Sequence, residues 1–218
     1  MKSLELVRSY FNREAQRFDA IYEDRKPLVE RLVDRAFRSV VVERFRLICN
    51  LAPMPCPWSV LDVGCGSGRY ALALAAAGAS RVVGVDVAAS MTELARRQAD
   101  AVGVADRCEF HTAPFLEFHP TERFDVVVAT GYMDYVEDPL PHLRAMVGVC
   151  KGRLFISVPK RFEYRVPIRK ARFALENGYV RFYGRREFET LASAAGIAPD
   201  RLSMIDLGRD WIAVMRVV

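Results

Sequence analysis

Residues 58–68 read Trp-Ser-Val-Leu-Asp-Val-Gly-Cys-Gly-Ser-Gly, an apolar run that meets an acid and then three glycines at alternate positions. Val60, Leu61 and Val63 are β-prone and crowded into a run too short for a helix, so the stretch reads as a buried strand. Residues 71–77, with Leu72 and Leu74, read as the helix that follows. Gly64, Gly66 and Gly68 carry no Cβ, which permits positive φ and lets bare backbone lie against a ligand. The helix start beyond them points backbone N–H groups at the same place.

A second apolar run, residues 81–87, ends at Asp86, close to the spacing of about 20 residues at which an acid meets ribose hydroxyls. A nucleoside is therefore expected. Asp62 stands two residues before the first glycine, where a carboxylate would repel a pyrophosphate and favour a cation. The sequence Asp62-Val63-Gly64-Cys65-Gly66-Ser67-Gly68, followed by Val85-Asp86, resembles the cofactor signature of class I methyltransferases dependent on S-adenosyl-L-methionine (SAM). SAM has adenosine, an amino group and a positive sulfonium, and no phosphate. Residue 69 is Arg, so the pattern departs from the Gly-x-Gly-x-x-Gly of dehydrogenases. The resemblance implies a cofactor site containing Asp62, Gly64, Cys65, Gly66, Gly68, Asp86, Val87 and Met91.

With 218 residues, 51% of them apolar, the chain suffices for one α/β domain with a substantial core. A net charge of +5 permits an anionic substrate, a nucleic acid or an acidic membrane surface without choosing among them. Five dispersed cysteines with no Cys-x-x-Cys pair suggest neither a disulfide framework nor a zinc site. The charged N-terminus lacks the apolar core of a signal peptide, and no apolar run approaches membrane-spanning length. A soluble, cytoplasmic protein is expected.

Residues 2–22 place Leu4, Val7, Phe11, Phe18 and Ile21 at helical spacing. Their aromatics resemble the cover that the family folds over its cofactor, which implies contacts from Tyr10, Phe18 and Tyr22; simple packing on the domain is the alternative. Residues 27–50 read as a second helix. Pro53, Pro55 and Pro57 then break the pattern, dividing a helical cap, 1–52, from a SAM-binding domain, 53–218.

Residues 89–102 read as a helix and 108–112 as a third strand. In the resembled family the next loop flanks the adenine and often carries an acid. Here Ala113, Pro114 and Phe115 stand there, so backbone contact and stacking by Phe115 are the expected substitutes. Residues 124–129 are a central parallel strand, nearly continuous in apolar residues. Thr130, Gly131, Tyr132, Met133, Asp134 and Tyr135 follow its carboxyl end, where open α/β sheets bind ligands. Thr130 and Gly131 are expected at the methionine half of the cofactor. A helix over 139–149, a strand over 152–158, a helix over 185–195 and a hairpin of 202–207 with 211–218 complete the chain.

The resemblance implies a Rossmann-like, seven-stranded, mostly parallel sheet of order 3-2-1-4-5-7-6, with the last strand antiparallel and helices on both faces. Residues 159–186 differ in character: nine lysines and arginines face only Glu163 and Glu176, with aromatics interleaved. This is where the family inserts substrate-binding elements. The segment reads either as a lid for an anionic or aromatic acceptor or as a solvated basic face.

Methyl transfer from a sulfonium is an in-line displacement whose leaving group departs neutral, so alignment and exclusion of water supply most of the catalysis. An oxygen acceptor of high pKa also needs a base. Asp134, Tyr135 and Tyr183 are the candidates; Asp134 could instead cap the helix beginning near Asp138. His111 is expected to pack inside its strand, and His119 and His142 have no second ligand at metal spacing, so no metal is expected.

A SAM-dependent methyltransferase acting on a small molecule, at oxygen, is the leading reading. The N-terminal segment and residues 124–139 resemble the ubiquinone-biosynthesis and Mg-protoporphyrin methyltransferase groups. A nucleic-acid methyltransferase ranks lower, because no Asn/Asp-Pro-Pro-Tyr/Phe/Trp sequence is present. A SAM-binding module without turnover is the other alternative. Residues 166–175 have the mixture of apolar and basic residues found in helices that touch membrane surfaces.

Overall fold

A computed structural model describes residues 5, 7–9, 12, 42–52, 54–55, 57–161 and 179–217. Seven strands, β1 (Ser59–Val63), β2 (Arg81–Asp86), β3 (Cys108–Thr112), β4 (Phe124–Ala129), β5 (Cys150–Pro159), β6 (Leu202–Asp206) and β7 (Asp210–Arg216), form one sheet. Its order is β3-β2-β1-β4-β5-β7-β6. Strands β1 to β5 pair in parallel, and β7 runs antiparallel to both β5 and β6. The expected topology is therefore observed.

Among the described residues, α1 (Arg69–Ala76), α2 (Ala89–Ala101), α3 (Pro139–Val149) and α4 (Arg185–Ala194) pack on the sheet. Side chains alternate across a strand, so each strand feeds two cores. Leu61, Val63, Val127 and Ala129 join Leu143, Met146, Phe188 and Ala192 beneath α3 and α4. Val60, Val126 and Val128 join Leu74, Ala75, Ala95 and Ala99 beneath α1 and α2, with Ile48 from helical residues 42–51 and Trp58. β4 is buried at five of its six positions because neighbouring strands flank it and helices cover both its faces.

Two local expectations change. β5 begins at Cys150, with no loop after α3, since the residue that ends the helix is already extended. His111 does not pack inside its strand: β3 is the sheet edge, and the half-exposed imidazole lies 2.7 Å from Glu109 Oε1. Among the described residues no helix is long and apolar enough to cross a membrane.

Candidate active site

The strand order reverses between β1 and β4, and at such a switch point the loops leaving the carboxyl ends diverge and open a crevice. A cavity of about 680 Å³ occupies it. Gly64, Cys65 and Gly66 after β1, Asp86 and Val87 at the end of β2, Met91 on α2, and Ala113, Pro114 and Phe115 after β3 line one part. Thr130, Gly131, Asp134 and Tyr135 after β4 line another. The sheet thus gathers thirteen of the sequence-predicted residues around one space.

The glycine turn is held from below. Gly64 N and Cys65 N donate to Val85 O at 2.8 and 3.2 Å. Gly64, Gly66 and Gly68 have φ of 68°, 52° and 82°, values that residues with a Cβ rarely adopt. Asp86 ties the turn to the next strand: its carboxylate accepts from Gly66 N at 2.9 Å and from Ala88 N at 2.8 Å. Burial raises its pKa despite these bonds. A Cβ at Gly66 would meet nothing within 4 Å, so the bare backbone faces open space beside a carboxylate. That cradle suits a ribose with a cationic substituent.

At the other end Asp134 is 7% exposed, and its backbone carbonyl accepts from Arg181 N at 2.7 Å. It does not cap α3; Asp138 accepts from Leu140 N there, at 3.4 Å. Arg44, from helical residues 42–51, also lines the cavity. Its Nε donates to Tyr70 Oη at 3.2 Å, and Nη1 lies 3.5 Å from Asp210. The arrangement places a mostly buried guanidinium, paired with Asp210, on the same cavity as the buried Asp134.

Three predicted site residues do not line the cavity. Asp62 shares the face of β1 that carries Val60 and so points toward α1, where it accepts from Ala71 N at 3.2 Å. It serves as the cap that Gly68 cannot supply, and burial pushes its carboxyl up to about 7. A Cβ at Gly68 would meet Ala95 and Phe110, so that glycine permits packing against α2 and β3. Tyr183 is fully buried, and its hydroxyl donates to Met133 O at 3.0 Å. Burial raises its pKa, so it is a pin beneath the loop and no base. Tyr10, Phe18 and Tyr22 lie outside the described residues; Val7, nearby in sequence, lines the cavity.

The basic segment is described only at its ends. There Lys160 pairs with Asp206, Arg161 and Arg181 with Glu187, and Arg185 with Glu189. Acids distant in sequence, or beyond the segment's end, thus supplement the two inside it.

The sequence assigns no role to Arg44, names Tyr132 only as one member of the loop after β4, and sets His142 aside as a metal ligand without a second role. Tyr132 Oη lies 2.7 Å from His142 Nδ1, and both line the cavity. Nothing in a spacing of ten residues across a loop and a helix start reveals that contact.

Residues 60–153 match the family described as a methyltransferase domain. The chain carries a methyltransferase domain over these residues. Over 102 residues, 45% of this chain and 42% of the relative, the chain is 38% identical to a ubiquinone biosynthesis O-methyltransferase of Neisseria meningitidis. Over 153 residues, 66% and 64% respectively, it is 30% identical to its counterpart in Ralstonia nicotianae. The chain spans about half the length of the first of these curated relatives. The methyltransferase fold extends beyond the matched residues: magnesium protoporphyrin IX methyltransferase of Synechocystis, solved with bound SAH, superposes with a TM-score of 0.75 at 20% identity, covering 99% of this chain and all of that one.

Proposed function

We propose that the protein transfers the methyl group of SAM to an oxygen of a small-molecule acceptor. The observation that carries this reading is one cavity in which a bare glycine turn and Asp86 occupy one part and Asp134, Tyr135 and Arg44 another. The relatives' names, as O-methyltransferases, support oxygen as the methylated atom.

Bound SAM supplies an electrophilic methyl on a sulfonium that departs neutral. The chain's own residues hold and shield it. Asp86 keeps acceptor capacity for ribose hydroxyls while bracing the turn, and residues 113–115 flank the base. Arg44 offers a guanidinium to a carboxylate. Asp134, nearly excluded from water, takes the proton of an acceptor hydroxyl. Tyr135 lines the cavity beside it and orients the acceptor.

The acceptor is proposed to be anionic or aromatic. Arg165, Arg169, Lys170 and Arg172, clustered in the sequence of the basic segment, are the proposed contacts to it. Residues 1–52 and 159–186 are the parts proposed to set acceptor choice, and surface contact with a membrane at 166–175 is part of the same reading. A reducing cytosol suits the free thiols of Cys49, Cys65, Cys108 and Cys150.

Methyl-labelled SAM incubated with a panel of phenols, catechols and aromatic carboxylates tests the proposal. Label is expected in a small molecule, and Asp134→Asn should lower turnover more than SAM affinity. SAM binding with no transfer would favour a binding module, and label in RNA would favour the nucleic-acid alternative.

A further inference from the structure

Tyr132 follows the Thr130-Gly131 turn that ends β4, and its ring stands on Gly64. A Cβ at Gly64 would lie 2.7 Å from Tyr132 Cδ2, so the ring occupies a seat that only glycine leaves open. Phe115 meets it edge-on, with centroids 6.2 Å apart and planes at 86°. Burial, with Asp86 adding to it, raises the phenol pKa, so the hydroxyl keeps its proton. This ring therefore lies where the ends of β1, β2 and β3 converge, the part of the cavity assigned above to the nucleoside.

His142 provides the hydroxyl's partner at 2.7 Å. Burial lowers the imidazole pKa against the pull of Asp138, so a neutral ring faces a protonated phenol, a matched donor and acceptor. The two residues differ in what holds them. Tyr132 belongs to a loop, whereas His142 stands on α3, which Leu143 and Met146 anchor in the core. A loop-borne ring is pinned to a rigid helix.

We propose that Tyr132 forms one wall of the slot for the purine nucleoside of SAM, and that His142 is a positioning residue that fixes this wall through the phenol. The inference rests on the cofactor reading above. It means that cofactor affinity depends on a bond between two side chains of the chain itself. Without its partner, the ring keeps its packing on Gly64 and Phe115 but loses the bond that fixes its tip, and the width of the slot is no longer set.

Calorimetry with SAM on the full chain tests this. Tyr132→Phe and His142→Phe should each weaken binding about five- to tenfold, the effect of losing one buried hydrogen bond. The double variant should bind no worse than either single one, because both remove the same interaction. His142→Asn, which can place an amide atom where Nδ1 stands, should restore affinity to within about twofold of the wild type. Tyr132→Phe removes a single atom and carries the test if His142→Phe does not fold. Unchanged affinity in Tyr132→Phe, or losses that add in the double variant, would overturn the inference. So would a loss of turnover with affinity intact, which would make the pair a proton carrier. Absence of SAM binding by the wild type would overturn the cofactor reading, and this inference with it.

Discussion

The Asp86 carboxylate accepts a hydrogen bond from Gly66 N at 2.9 Å, so the acid that ends β2 holds the glycine turn that follows β1. The same carboxylate takes Ala88 N at 2.8 Å, joining the turn to the start of α2. A residue chosen by sequence spacing for a ribose is also a brace for the cradle. Asp86→Ala strands both N–H groups and should cost about 1–3 kcal/mol of stability, read from chemical denaturation. SAM affinity should fall at least tenfold by calorimetry, an order-of-magnitude expectation from losing a charged acceptor.

Two glycines of the turn should respond differently to alanine. Both have positive φ, which costs a residue with a Cβ roughly 1–2 kcal/mol. At Gly64 the new Cβ also collides with the Tyr132 ring at 2.7 Å, while at Gly66 it meets nothing within 4 Å. Gly64→Ala should therefore lower Tm more than Gly66→Ala. Equal melting temperatures would remove Tyr132 from its seat on Gly64.

Asp62 should make stability depend on pH. Burial pushes its carboxyl from an ordinary value of 3.8 to about 7, so in that window the folded protein binds more protons than the unfolded chain. Stability contributed at this position therefore falls as pH rises through the window. Asp62→Asn keeps a carbonyl for Ala71 N and removes the titration. The Tm of the variant relative to wild type should rise between about pH 5 and about pH 8, as thermal melts at several pH values will show.

Tyr183→Phe leaves Met133 O without the phenol it accepts from in a fully buried setting. A stability loss of about 1–3 kcal/mol is expected in denaturant titrations. The pH profile of turnover should not change, because the phenol lies outside the cavity. A shifted profile would return Tyr183 to the chemistry.

The strands were legible in the sequence because their signals are local, and their order in the sheet followed from the family resemblance. Val60, Leu61 and Val63, or Val126 to Val128, declare a buried strand by themselves, and the glycines and Asp86 stand at spacings fixed by backbone geometry. The facing of Asp62 was available in the same way, since it alternates with Leu61 and Val63 and shares the side of Val60. Its position beside the turn drew attention to the ligand instead. What the sequence withheld depends on contacts across the fold. Tyr183 sits among arginines and reads as part of a basic lid, but its backbone bonds Pro159 and Arg161 and draws the ring into the core. Arg44 looks like one more charge on a helix until Tyr70 and Asp210, distant in sequence, surround it. Tyr132 and His142 meet only because α3 folds back over the loop after β4.

Isothermal titration of the wild-type protein with SAM tests the central claim most directly. Saturable binding with one molecule per chain, weakened by Asp86→Ala and not reproduced by NAD, is the expected result. No heat with SAM alongside tight binding of NAD or a nucleoside triphosphate would contradict it.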